Sequence, residues 1–129
     1  MISVSTNPIP FSISSTAFIQ KFSTISFIQQ LLKGKNTVAL PSNEHVRFLL
    51  KRVAIFELKL DKDQGEQWIQ WVSTSAMSFQ TAIRFEYLEE NSISIHIQTD
   101  TNVFMELFLE KRIKKMVETI VANLSVTIA

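Results

Sequence analysis

The chain of 129 residues is the length of one domain, with 46% hydrophobic and 19% charged residues, ten Phe and two Trp; this is enough apolar material for a packed core and excludes a disordered chain. A formal net charge of +1 supplies no field that would select nucleic acid or an anionic membrane. The absence of cysteine excludes disulfides, thiolate nucleophiles and Cys-ligated zinc, and makes the cytoplasm the expected compartment.

In chain order, Ile2 to Ser14 places Pro8 and Pro10 among β-branched and Ser residues, which suits an edge strand or an extended arm. Nothing before Phe11 has the basic start of a signal peptide, and no apolar run is long enough to span a bilayer. Ser14, Ser15 or Thr16 caps a helical stretch carrying Phe18, Phe22, Ile25, Ile28, Leu31 and Leu32. The poor helix formers Ser23, Thr24 and Ser26 leave one or two short helices open and favour two with a break near Ser23, and Gly34 stops the stretch.

From Thr37 the period becomes that of strands. Thr37 to Ala39 leads into a Pro41-Ser42-Asn43 turn. His45 to Leu60 then reads as one long run with Phe48, Leu50, Ala54, Phe56, Leu58 and Leu60 on one parity. Asp61 to Gly65 is a polar hairpin link to a strand over Glu66 to Ser73. In that strand Trp68 and Trp71 stand three apart and point to opposite faces, so only one can enter the interior. Phe79, Thr81, Ile83, Phe85 and Tyr87 share a parity, as do Ile93, Ile95 and Ile97 after a turn at Glu89-Glu90-Asn91; a one-residue slip there would move every isoleucine into water. After Asp100 the period is helical, with a stripe of Leu109, Ile113, Met116, Ile120 and Leu124.

This order predicts a single α+β domain over 1–129, a curved antiparallel sheet wrapped around a long C-terminal helix. Strand, short helices, meander and terminal helix, with the stretch Asn102-Val103-Phe104-Met105-Glu106-Leu107-Phe108-Leu109-Glu110-Lys111-Arg112-Ile113, resemble the START-like helix-grip (SRPBCC) superfamily, in particular its small bacterial polyketide cyclase-like members. The resemblance covers nearly the whole chain. It implies a cavity between sheet and helix for a lipid, sterol, polyketide or other apolar molecule, walled by Phe56, Phe79, Thr81, Ile83, Phe85, Ile95, Met105, Leu109, Ile113 and Met116. Arg84, flanked by apolar strand positions, is the candidate polar anchor should it face inward.

Catalytic and metal chemistry has little to stand on. Around Gly65, Asp61, Asp63 and Glu66 lack calcium-loop spacing, since the glycine falls fifth and Val72 stands where a bidentate Glu is needed. His45 and His96 have no acidic or Cys partner at a ligand spacing, no Ser-His-Asp order is readable, and the basic cluster Lys111, Arg112, Lys114 and Lys115 is interrupted by acids. We therefore expect no cofactor, no metal and no nucleic acid or membrane insertion. The leading expectation is a binder of a small hydrophobic or amphipathic ligand. A second is an aromatase or cyclase-type enzyme, with His96 or Glu86 as acid-base group if the parity is inverted. A third is a packed interaction module that forms a homodimer or another partner contact.

Overall fold

The computed structural model describes residues 1–61, 67–74, 79–88 and 91–128. Strand β1 (Ile2–Ser5) and the two-residue β2 (Ile9–Pro10) are followed by helices α1 (Ser15–Phe22) and α2 (Ile25–Leu32). Strands β3 (Thr37–Leu40), β4 (Val46–Leu50), β5 (Ala54–Leu60), β6 (Trp68–Ser73), β7 (Thr81–Leu88) and β8 (Ser92–Thr99) precede the long helix α3 (Val103–Ile128). All strand pairs are antiparallel in the order β1-β8-β7-β6-β5-β4-β3, and β2 also pairs with β8. This is the α+β helix-grip architecture that the pattern predicts.

The alternation of burial explains why these segments are strands. In β7 the buried Thr81, Ile83 and Phe85 alternate with half-buried Ala82, Arg84 and Glu86, so one face enters the core and the other meets water. The register Ile83↔Ile97 and Phe85↔Ile95 puts inward residues opposite inward residues across the β7–β8 pair. Helix α3 buries Leu109, Ile113, Met116, Val117, Ile120 and Leu124 in the same core cluster. Its phase agrees with the expected stripe.

Two short helices form as the sequence suggests. Ser14 Oγ accepts the Ala17 amide at 3.1 Å to cap α1, and the helix ends at Ser23. The end of α2 is satisfied from ninety residues away: the Asn123 side-chain amide donates to the carbonyls of Gln30, Leu31 and Lys33 at 3.3, 2.8 and 2.9 Å. These belong to the orphan carbonyls that a helix end leaves exposed. Thr37 Oγ1 donates to the Leu32 carbonyl at the same end.

Several expectations need correction. His45 to Leu60 is not one strand but a hairpin turning at Lys51 to Val53, where Arg52 has φ 66°. Leu50 faces Ala54 across it, which is why the parity continues unbroken through the turn. Gly34 has no positive φ; instead, a Cβ there would come within 2.5 Å of Thr119 Cγ2, so its smallness is what lets α2 and α3 approach. The predicted link after Asp61 falls at 62–66, outside the described residues, as do Glu89 and Glu90 of the predicted turn; Asn91 beside them has φ 56°.

Candidate functional site

All of the residues expected to wall a cavity except Met105 come together inside the sheet. Phe56, Thr81, Ile83, Phe85, Ile95, Leu109, Ile113 and Met116 are buried, while Phe79 and Met105 are half-buried. They are closely packed. The Phe22 ring lies 5.0 Å from Phe85, 5.0 Å from Phe27 and 4.7 Å from Phe18, which joins both short helices to β7. Phe48 stacks on Phe56 at 5.1 Å, and Phe56 on Phe79 at 6.2 Å. Thr81 shares a hydrogen bond with Thr99 at 3.2 Å and donates its amide to Ser73 Oγ at 2.6 Å, so its polar groups are already engaged.

Of the two tryptophans, Trp71 is the inner one. Its indole N–H donates to the Phe22 carbonyl at 3.0 Å, tying the last residue of α1 to β6. Trp68 lies on the outer face, with the Arg84 guanidinium 4.2 Å from its ring centroid. Arg84 therefore stands on the opposite side of the sheet from the candidate walls, and it is not an anchor for a ligand held between sheet and helix. Its Nε donates to Gln70 Oε1 at 3.1 Å, and Gln70 in turn donates to Asp61 at 3.0 Å.

His96 and Glu86, the suggested acid-base groups, are also on the outer face, 3.2 Å apart between Nε2 and Oε2. Ser5 Oγ lies 2.8 Å from His96 Nδ1, and Ser94 Oγ 3.0 Å from Nε2. His45 sits beside Glu57 at 3.6 Å, and Arg47 Nε is 3.2 Å from the same carboxylate. Among the described residues no group of three or more His, Cys, Asp or Glu side chains is arranged to hold a metal. Among the described residues no helix is long and apolar enough to cross a membrane.

A feature that the sequence pattern did not resolve is the outer side of the first turns of α3. Val103 is 82% exposed, Phe104 95%, Leu107 75% and Phe108 38%. At about 100° per residue, Phe104, Leu107 and Phe108 project within roughly 70° of the direction opposite the buried stripe, and Val103 lies about 80–90° from it. The only polar cover seen there is the Arg112 guanidinium, 4.8 Å from the Phe108 ring among the described contacts. Together these side chains form an apolar patch on the helix surface. The helix is fixed at this end by Asn102, whose side chain accepts the Met105 amide at 2.9 Å.

No protein-family model and no curated protein matches the chain. Solved structures do. Protein Ms6760 from Mycobacterium smegmatis is similar with TM-score 0.63 at 4% identity, over 98% of this chain and 89% of that one. DR_A0006 from Deinococcus radiodurans is similar with TM-score 0.57 at 7% identity, over 92% of each chain. The Aha1 dimer from Colwellia psychrerythraea, determined in solution, has TM-score 0.53 at 13% identity over 96% of each chain. At these identities the likeness establishes the fold and leaves the family open.

Proposed function

We propose that the chain is a START-like helix-grip protein acting as a binding module without catalysis, and that it pairs with a second copy of itself through the opening turns of α3. The observation that carries this is the outward-facing patch of Val103, Phe104, Leu107 and Phe108. These side chains cannot wall a cavity between sheet and helix, because they point the other way. An antiparallel pairing of two helices about a twofold axis near Met105 and Glu106 sets each patch against its own copy. Aha1, which is similar in fold, is described as a dimer. Four side chains cover less than the roughly 800 Å² per partner of a standard interface. The association should therefore be weak, with a dissociation constant on the order of 10 μM.

Sedimentation equilibrium from about 1 μM to 1 mM tests this, a range that brackets the dissociation constant. The parent should shift from monomer to dimer across it, and the double variant Phe104→Ser, Leu107→Ser should stay monomeric with an unchanged melting temperature. A parent that is monomeric throughout, or a variant that dimerises as well as the parent, would sink the proposal.

A second reading, the apolar ligand held between sheet and helix, is favoured by half-burial of Phe79, which packs against the core, and of Met105 near the start of α3, where the neighbouring walls are sealed. Such a ligand would require these two side chains to move, and Met is suited to repacking. Thermal shift with fatty acids, sterols and aromatic polyketides distinguishes it. A rise in melting temperature abolished by Met105→Trp but not by the outer-face double variant would establish this reading. The cyclase reading requires proton-transfer groups on the inner face, whereas the His96–Glu86 pair lies outside.

A further inference from the structure

A concavity of about 330 Å³ opens on the outer face of the sheet across β1, β8, β7 and β6. Ala82 contributes only a methyl group to it, while Gln98 and Val72 are its paired neighbours on either side. One wall is a row of residues placed side by side by register: Ser5 opposite His96, His96 opposite Arg84, Arg84 opposite Gln70. A second hollow shares Ala82 and Gln98, so the depression continues towards Asp100.

We propose that this groove is a binding site for a small molecule bearing one carboxylate, with Arg84 as the group that receives it. Arg84 is held over the Trp68 ring and tied through Nε to Gln70, so its orientation is set before any ligand arrives. Its two terminal amino groups have no acceptor among the described residues. Two parallel N–H donors on a planar fork match the two oxygens of a carboxylate. The nearest acid on the same face of β7, Glu86, is turned to His96 rather than to Arg84, and Ser5 and Ser94 hold the imidazole in that arrangement. The guanidinium is thus oriented by two contacts, Trp68 and Gln70, yet has no counterion among the described residues.

Glu86 weakens the pull of the groove on any anion. Its repulsion and the attraction of Arg84 both scale with ligand charge, so a phosphate dianion gains at most twice what a monoanion gains, while its desolvation cost rises with the square of the charge. On the far side of Ala82, the Ser3 hydroxyl and Gln98 amide border the space available to the remainder of the molecule. The site is half-open, so its affinity should be modest and its selectivity should come from the fork.

Two-dimensional NMR of the arginine Nε–H signals, with Trp68 indole emission in parallel, tests the assignment at constant ionic strength against propionate, benzoate, phosphate and chloride. A saturable shift of the Arg84 signal is expected with both carboxylates, with a dissociation constant on the order of 1 mM or tighter and weaker binding of phosphate. Arg84→Gln should lower carboxylate affinity at least tenfold. Ala82→Leu should do the same by filling the groove while keeping the cation. Shifts that are linear and equal in chloride, phosphate tighter than carboxylate, or full affinity retained in both variants would overturn it. Melting curves of both variants establish that they are folded, and the parent titration decides the matter by itself if either is not.

Discussion

Replacing Trp71 by Phe isolates the contact that ties α1 to the sheet. The indole is 1% exposed and donates to the Phe22 carbonyl, which stands at the helix end and has no partner within α1. Phenylalanine keeps an aromatic body in place but removes the donor, leaving that carbonyl buried and unpaired at about 1–3 kcal/mol. The side chain also shrinks by roughly 40 Å³, which at about 24 cal/mol per Å³ of residual cavity adds close to 1 kcal/mol. A total of about 2–4 kcal/mol is a large share of a typical stability of about 5–15 kcal/mol. Urea unfolding followed by far-ultraviolet circular dichroism measures it, since the signal does not depend on the indole that has been removed. Trp68→Phe is the internal control; with the ring on the outer face and no core partner, it should cost less than about 1 kcal/mol through its contact with Arg84. Equal losses in the two variants, or less than about 0.5 kcal/mol for Trp71→Phe, would refute the assignment of faces and the role of the Phe22 bond.

Ile113→Asp places an unpaired charge in the buried stripe of α3 and should leave no cooperative thermal transition, because the loss of several kcal/mol consumes most of the expected stability. A parent-like melt would show that the helix phase is wrong. Gly34→Ala sets a methyl group against Thr119 and should cost about 1–3 kcal/mol in urea unfolding, with recovery in the double variant Gly34→Ala, Thr119→Ala. Additive losses instead of recovery would mean that Thr119 is not the obstacle.

The parts of this fold legible in the sequence are those in which a single period decides the face. Ile93, Ile95 and Ile97 could lie inward only in one register, and Leu109, Ile113, Met116 and Ile120 only in one helical phase. The turn at Arg52 was hidden because it contains no Gly, Pro or Asn and does not change the parity of the residues around it. The opening of α3 was hard to phase for another reason: Val103, Phe104, Met105, Leu107 and Phe108 are all apolar around Glu106, so composition by itself does not tell the half-buried Met105 from the exposed Phe104. The outer groove was not legible at all. Ser5, Gln70, Arg84 and His96 are widely separated in the chain and become a row only through the β1-β8-β7-β6 order. Arg84, weighed as an inward anchor because of its apolar neighbours, is turned outward by the same alternation that buries those neighbours.

The Asn123 amide that closes the end of α2 also bears on how the chain acquires its structure during synthesis. Its partners Gln30, Leu31 and Lys33 are made long before it, and β1 must likewise wait for β8, pairing Ile2 with Thr99. A nascent chain that has reached Thr74 holds both short helices and β6 but neither the strands β7 and β8 nor the helix that buries their apolar faces. At about 5–20 residues per second, the remaining 50 or so residues keep Phe18, Phe22, Phe48 and Phe56 incompletely covered for several seconds. High sequence separation then slows the closing step further. The molecule should depend on ribosome-proximal chaperones more than its size suggests, and slowing translation before β7 should raise aggregation rather than relieve it.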